Sequence, residues 1–237
     1  RGSIPRGITK FEKASFMLVF LFLNYYYYRP SIKIRRKENN MARKKVLNVG
    51  GNSKEIPLPD IYKDWDQVWL DIDPAVNPDV LCDARELTKL PANTYNAIYC
   101  SHNLEHYFRH DVKKVLAGFN HVLKKDGFAH IRVPDMAAVM RAFVENNMDI
   151  NDTLYVSPAG PISIQDVMYG WGKEIEHSGN DFFAHKTGFT ESSLIATLID
   201  NGFYQVYTGT GAWEIAAFAF KDEPSPAELA EVGIVIE

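Results

Sequence analysis

The chain has 237 residues, of which 46% are hydrophobic and 13% aromatic, with 26 basic and 30 acidic side chains and a formal net charge of −4. This length predicts one sizeable core and argues against two full domains. The charge argues against recruitment of nucleic acid by a global positive field. Cys82 and Cys100 lack the spacing of metal ligands, so we expect free, buried thiols in a reducing, cytoplasmic compartment.

Residues 1–40 differ in charge from the rest of the chain. They carry nine basic and two acidic residues, against 17 basic and 28 acidic in residues 41–237. The sequence MARKKVLNVGG from Met41 has the form of a native start at a first strand, so we interpret 1–40 as a disordered or non-native extension. Ordinary structure and a membrane-surface segment are the alternatives, the latter because an apolar stretch at 15–23 lies between basic flanks. That stretch is shorter than a spanning helix, and we expect membrane association only if residues 14–37 are native.

After Met41, short β-branched or aromatic runs alternate with longer amphipathic ones, as in βαβ units. Strands are predicted at 45–49, 67–72, 80–81, 97–100, 129–133, 205–210 and 216–221. The first five are predicted to form a parallel core. The last two have no long helix between them, so we expect a hairpin that gives the sheet an antiparallel edge.

Helices are predicted at 110–123, 136–147 and 191–201, with a weaker one at 58–63. Gly127, after a basic turn, is expected to end the first of these, and Thr190 to cap the third. The predicted fold class is α/β, a Rossmann-like, mostly parallel sheet flanked by helices, with an antiparallel C-terminal edge strand.

The segment at about 135–186 interrupts this rhythm. It is rich in Gly, Pro and aromatic residues and has little periodicity, which is typical of a lid-like insertion. Tyr169, Trp171, Phe182 and Phe183 are candidates to stack on a sugar or ring acceptor, and packing on the core explains them equally well.

Three polar features follow successive predicted strands. Asn48-Val49-Gly50-Gly51 ends the first, and glycines there let backbone approach a ligand closely. Asp71 ends the second, where a carboxylate can accept from both hydroxyls of a ribose. Asp83 follows the third, where it can accept from the amino group of adenine. Because parallel strands end along one rim, we expect these groups to converge on a single crevice.

The fourth strand leads into Ser101-His102-Asn103-Leu104-Glu105-His106. With LNVGG, LDID, CDA and LKKDG, this segment resembles the class I, Rossmann-like methyltransferases that use S-adenosylmethionine, and more closely a group of predicted methyltransferases with an SHxLEH motif that is often associated with saccharide biosynthesis. The resemblance covers residues 44–135 well, and HKTGFT and NGF more loosely. The sequence departs from the pattern at two places. Ser53 or Lys54 occupies the position of the third glycine, and Asn96 occupies a position before the fourth strand where Asp is common.

The resemblance implies a methyltransferase domain at 41–237 and a cofactor site. Gly50 and Gly51 would lie against the methionine moiety, Asp71 would bind the ribose, and Asp83 with Ala84 would border the adenine. Ser101 and His102 would line the sulfonium side. Asn48 and Ile72 complete this predicted set.

Methyl transfer requires alignment of donor and acceptor, and a base is optional. If the acceptor is a hydroxyl, His102, His106 or His185 is the candidate base. His102 and His106 are four residues apart, but the sequence identifies no third ligand, so we expect no metal.

We therefore expect methyl transfer from S-adenosylmethionine to a small-molecule or saccharide acceptor, with O-methylation favoured and no nucleic-acid partner. Two alternatives stay open: a nicotinamide-dependent oxidoreductase, and a non-enzymatic nucleotide-binding module with the same fold. The missing GxGxxG pattern argues against the first, whereas the reduced glycine loop is consistent with the second.

Overall fold

The computed structural model describes residues 43–51, 53–158 and 160–235. The predicted extension at 1–40 and the possible membrane segment at 14–37 lie outside these residues. The described strands are β1 Lys45–Val49, β2 Asp66–Asp71, β3 Val80–Leu81, β4 Tyr95–Ser101, β5 Leu123–Pro134, β6 Thr153–Ser157, β7 Gly160–Ser163, β8 Gln205–Thr210 and β9 Glu214–Phe220. The described helices are α1 Arg109–Val122, α2 Met136–Glu145, α3 Ile164–Tyr169, α4 Gly172–Ser178, α5 Glu191–Asp200 and α6 Pro226–Glu231.

Seven of the described strands form one sheet in the order β3-β2-β1-β4-β5-β9-β8. The pairs among β1 to β5 are parallel, whereas β9 is antiparallel to both β5 and β8. The predicted fold class is confirmed. The β8–β9 hairpin forms as expected, and its second strand lies next to β5 while its first occupies the edge.

The sheet has a hydrophobic layer on each face, which is why its central strands read as continuous apolar runs. Along β1, Leu47 packs into the layer formed with α1 and α5, and Val46 into the opposite layer, which contains Tyr62 and Leu229. Opposite faces alternate because successive side chains of a strand point to opposite sides.

Two local predictions are wrong. Gly127 does not end α1: this helix ends at Val122, Leu123 is already extended, and Gly127 lies within β5. Burial explains the early end, because Leu123 is fully buried and pairs with Tyr95 of β4. The weak helix at 58–63 is only a 3-10 turn, Asp60–Tyr62.

The insertion after β5 contains α2, the β6–β7 hairpin, α3 and α4. It has a small core of its own around Val139, Ile164 and Val167. The sequence analysis missed the hairpin and both short helices, because strands of five and four residues with no clean alternation give no periodic signal. Whether the insertion closes as a lid stays a prediction.

No helix among residues 43–51, 53–158 and 160–235 has the length and apolar character that crossing a bilayer requires. Cys82 and Cys100 are both free thiols. Cys100 is buried as predicted, and burial raises its pKa, whereas Cys82 is only partly buried.

Candidate active site

A cavity of about 460 Å³ lies at the carboxyl ends of the parallel strands. Gly50 follows β1, Asp71 ends β2, Asp83 follows β3 and His102 follows β4, and all four line it. The structure thus brings the predicted strand-end groups to one crevice. Its volume is in the range of small-molecule sites.

Gly50 allows the backbone to turn sharply under the cavity. Its φ is +70°, and its amide donates to the carbonyl oxygen of Leu70 at 2.9 Å. A Cβ on Gly50 would lie 2.1 Å from Nδ2 of Asn103, which also lines the cavity. A side chain at Gly50 would therefore displace part of the cavity wall.

Asn48 and Gly51 support this turn from behind. Asn48 is buried, and a Cβ on Gly51 would lie 2.3 Å from its Nδ2 atom. Neither residue lines the cavity, so the structure does not bring these two predicted cofactor residues to its wall.

Asp71 is held in place by its own turn. Its Oδ1 accepts from the backbone amide of Asp73 at 3.1 Å, and Oδ1 of Asp73 accepts from that of Ala75 at 2.8 Å. Ile72 lines the cavity between these two carboxylates. Within the part of the chain that the structure describes, Oδ2 of Asp71 receives no hydrogen bond, which leaves it open to a ligand hydroxyl.

Asp83 already has a partner within the protein. Nε of Arg85 lies 2.9 and 3.1 Å from its two oxygens, and the Arg85 amide donates to it at 2.9 Å. Burial alone would raise the pKa of Asp83, but these hydrogen bonds hold it below its ordinary value. Arg85 also reaches Asp111, and Ala84 is buried. An adenine amino group would therefore share the Asp83 carboxylate with Arg85.

His102 lies between two carboxylates. Nε2 is 3.3 Å from Oε2 of Glu214, and Nδ1 is 3.5 Å from Oε1 of Glu105. Burial lowers the pKa of His102, but the hydrogen bonds and charges of the two glutamates outweigh it and raise the pKa to about 9. Because both ring nitrogens face negatively charged carboxylates, we expect His102 to be an imidazolium at neutral pH. The prediction that His102 acts as the base does not fit this geometry.

His106 lines the cavity, whereas His185 lies behind its wall. The ring nitrogens of His106 lie 3.1 Å from the carbonyl oxygens of Ala184 and His102. Burial lowers the pKa of His106, against the opposing effect of Glu105 and of these two hydrogen bonds. Nδ1 of His185 donates to the carbonyl of Val167 at 2.8 Å, which turns Nε2 toward Glu105. The two rings meet edge to face at 4.9 Å.

The insertion supplies an aromatic side to the cavity. Trp171, Phe182 and Phe183 line it, and the rings of Trp171 and Phe183 meet edge to face at 6.2 Å. Trp171 and Phe182 are 40% and 38% exposed, so their rings are available to a ligand. Tyr169 is exposed and does not line the cavity.

Several site residues escaped the sequence analysis. Four of them follow the end of the predicted strand 97–100 within about eleven residues, and that proximity is the only signal they offered: Asn103, Tyr107, Phe108 and Asp111. Glu214 begins β9, more than 100 residues from His102, and nothing in the sequence connects the two. Ser101, which was predicted to face the cofactor, is partly exposed at the end of β4 and does not line the cavity.

Comparison with known proteins gives one family match. Residues 64–131 match the family model described as a methyltransferase domain. This part of the chain is similar to a methyltransferase domain, in agreement with the predicted class of enzyme. The match spans β2 to β5 and therefore includes Asp71, Asp83 and His102. No curated protein sequence matches the chain significantly.

Solved structures with a similar fold include a SAM-dependent methyltransferase from Archaeoglobus fulgidus, with 14% identity, a TM-score of 0.46 and coverage of 75% of this chain and 86% of that one. A SAM-dependent methyltransferase from Methanosarcina mazei has 13% identity and a TM-score of 0.47, and the match covers 78% of this chain and 96% of that one. A third is 1,6-didemethyltoxoflavin-N1-methyltransferase from Burkholderia thailandensis, with bound 1,6-didemethyltoxoflavin and S-adenosylhomocysteine, at 16% identity, a TM-score of 0.44 and coverage of 76% and 72%. At these sequence identities and TM-scores, the similarity does not indicate a substrate.

Proposed function

We propose that the chain transfers a methyl group from S-adenosylmethionine to a hydroxyl of a small-molecule or saccharide acceptor bound against the aromatic side of the cavity. The observation that carries this proposal is the convergence of Gly50, Asp71 and His102 on one cavity whose other side is built by Trp171 and Phe182.

The charge of the cavity favours this cofactor over a dinucleotide. The residues that line the cavity carry more negative than positive charges. The positive charges are those of Arg85, Lys186 and the His102 imidazolium, and the carboxylates are Asp71, Asp73, Asp83, Asp111 and Asp181. An excess of negative charge attracts a cationic sulfonium and repels an anionic pyrophosphate.

The connection after β1 supports the same choice. A dinucleotide fold places its pyrophosphate on the N-terminus of the helix that follows the first strand. Among the described residues between β1 and β2, the only helical element is the 3-10 turn Asp60–Tyr62. No α-helix N-terminus is therefore offered there to a pyrophosphate, which argues against the nicotinamide-dependent alternative.

The described residues suit the cofactor in two places. The Cβ-free face of Gly50 gives room against the cavity floor, and the open Oδ2 of Asp71 is a suitable acceptor for a ribose hydroxyl. The sulfonium supplies the activated methyl group, and the protein aligns the acceptor with it. Both ring nitrogens of His106 face carbonyl oxygens and both of His102 face carboxylates, so the geometry favours transfer by alignment of the acceptor over transfer by a histidine base.

Calorimetry with S-adenosylmethionine, S-adenosylhomocysteine and NAD tests the cofactor part. We expect both adenosyl ligands to bind, NAD not to bind, and Asp71→Ala to weaken binding by more than about tenfold, because charge-assisted hydrogen bonds are worth about 1.5–3 kcal/mol each. Asp66→Ala is the matched control, since Asp66 begins the same strand at its opposite, exposed end.

Two results would contradict the proposal. Binding of NAD alone would favour the oxidoreductase, and binding of none of the three would favour a module without cofactor. The acceptor part is tested by screening radiolabelled methyl transfer to saccharides and small phenols, and transfer to amines alone would contradict O-methylation.

A further inference from the structure

Arg85 lies between two carboxylates at the wall of the cavity. Its Nε atom is 3.1 and 2.9 Å from Oδ1 and Oδ2 of Asp83, and its Nη2 atom is 2.5 Å from Oδ2. On the other side, Nη1 is 3.4 Å from Oδ2 of Asp111. The side chains of Asp83 and Asp111 are 16% and 6% exposed, and all three residues line the cavity. The guanidinium is therefore held on two sides by mostly buried charges.

The acceptor sites of the Asp83 carboxylate are already used within the protein. Oδ1 accepts from the backbone amide of Arg85 at 2.9 Å and from Nε, and Oδ2 accepts from Nε and Nη2. A carboxylate offers about four lone-pair sites, which these contacts occupy. Arg85 donates from a cation, whereas the amino group of adenine is neutral, so the existing contacts are the stronger ones. Adenine could share this carboxylate only by weakening one of them.

No aromatic ring covers the guanidinium of Arg85 within the part of the chain that the structure describes. The cation–ring contacts there are those of Lys44 with Trp65 and of Lys186 with Phe108. The side chain of Arg85 is 43% exposed. A guanidinium is planar and stacks on aromatic rings. Arg85 thus offers the cavity a flat surface that suits a purine.

Arg85 lies in the part of the cavity that is expected to take adenine. Asp71, the expected partner of the ribose, ends β2, and Asp83 follows the neighbouring strand β3. Tyr107 also lines the cavity. Burial raises the pKa of Tyr107, and the charges of Asp83, Arg85 and Asp71 also act on its hydroxyl. A base attached to a ribose at Asp71 is therefore expected to come close to Arg85.

We propose that the adenine of the cofactor stacks on the guanidinium of Arg85, and that its amino group does not donate to Asp83. This inference rests on the proposed function, because it concerns the same cofactor in the same cavity. It replaces the expectation that Asp83 accepts from adenine, since here the carboxylate fixes Arg85 instead. Stacking does not require the 6-amino group of the base, whereas a hydrogen bond to Asp83 does.

Calorimetry of the full chain with S-adenosylhomocysteine and S-inosylhomocysteine tests this difference. The second ligand has a 6-oxo group in place of the 6-amino group, so it can stack but cannot donate from that position to Asp83. We expect the wild type to bind the two ligands with affinities within about threefold of each other, because loss of a hydrogen bond to a carboxylate would cost about tenfold or more. A larger difference would overturn the inference.

Arg85→Met removes the stacking surface and keeps an unbranched side chain. It should weaken the binding of S-inosylhomocysteine by about tenfold, as expected for loss of a partly desolvated cation–π contact. S-adenosylhomocysteine should lose less affinity, because the released Asp83 can then accept from its amino group. Arg109→Met is the matched control, since Arg109 is an exposed residue at the start of α1 that does not line the cavity.

The ratio of the two affinities separates recognition from a structural role. Both ligands are measured on the same protein, so a general loss of folding would leave their ratio unchanged. Unchanged binding of S-inosylhomocysteine in Arg85→Met, or tighter binding of S-adenosylhomocysteine, would overturn the inference while the proposed function stands. If neither ligand binds the wild type, the proposed function fails as well, so the two failures are distinguishable.

Discussion

Gly50, Asp71 and Asp83 reach the cavity from the ends of three neighbouring strands, whereas Trp171, Phe182 and Lys186 reach it from short helices and turns of the insertion. The first side rests on a sheet that is buried on both faces. The second rests on a small core of three buried residues. The cofactor side is therefore expected to be rigid, and the acceptor side easier to disturb without loss of the sheet.

Gly170→Ala should have the largest effect, and it should be confined to the insertion. Gly170 has a φ of +96°, and a Cβ there would lie 2.0 Å from the backbone oxygen of Phe183. Strain and overpacking together should destabilise this segment by about 3 kcal/mol. Faster hydrogen exchange in 165–186, with S-adenosylhomocysteine affinity retained, is the expected result.

Gly160→Ala is the control for that substitution. Gly160 belongs to the same insertion and has a φ of +113°, but a Cβ there meets nothing within 4 Å. Gly160→Ala should therefore destabilise the insertion less than Gly170→Ala does, because it adds only the strain of a positive φ and no steric clash. Loss of cofactor affinity in Gly170→Ala would show that the two sides of the cavity are not separable.

The pH dependence of stability should report on the burial of His130 in the sheet. It is buried in β5 and stacks on Phe218 at 4.2 Å, and burial, with the nearby charge of Arg132, lowers its pKa to about 3. The unfolded chain takes up this proton below about pH 6.5, so stability is complete above that pH and falls as pH decreases toward 3. The free energy of unfolding is expected to decrease by about 1.4 kcal/mol per pH unit in this range.

Urea unfolding at several pH values measures this loss. In His130→Phe, the slope of the free energy of unfolding against pH should decrease by the contribution of one proton, because Phe does not titrate. An unchanged slope would mean that His130 is already protonated in the folded protein.

Gly50→Ala should mainly affect the cofactor side. The new Cβ would displace Asn103 from the cavity wall, so we expect about tenfold weaker binding of S-adenosylhomocysteine, equal to about 1.4 kcal/mol. Gly179→Ala has almost the same φ, +68°, with open space around it, and should leave binding unchanged. Shortening Asn103 to Ala in the Gly50→Ala protein should recover part of the loss if the clash is its cause.

Trp171→Ala should have the smallest effect and act only on the acceptor. Loss of one stacking ring should raise the KM for the best acceptor by about fivefold, or about 1 kcal/mol, with the affinity for S-adenosylhomocysteine unchanged. Tyr204→Ala, which removes an exposed aromatic residue next to β8, is the control. A change in cofactor affinity instead would place Trp171 on the cofactor side.

Much of the sheet could be predicted because its signals are local. The apolar runs of β1, β3 and β8 were predicted with their observed limits, and Thr190 caps α5 as expected. Asp71 and Asp83 were predicted to share a rim because parallel strands end on one side. The end of α1 was wrong, since the burial of Leu123 depends on its partner strand.

The roles of the histidines could not be read in this way. The sequence predicts His102 as a candidate base, but in the structure Glu214 lies on its far side. The insertion places His185 beside Glu105, a contact that no sequence pattern indicates. Both contacts join segments about 80 or more residues apart. The protonation of a histidine depends on such contacts, because it is set by charges within a few ångströms.

By itself, the sequence determined the alternating architecture, the parallel core and the polar residues at the ends of its strands, because hydrophobic periodicity and strand direction are properties of neighbouring residues. The tertiary structure alone decided which distant groups are paired: Arg85 with Asp111, Glu214 with His102, and the buried Glu105 with His185. The physical reason is that electrostatic state depends on distance in space, which distant segments set only when they pack together.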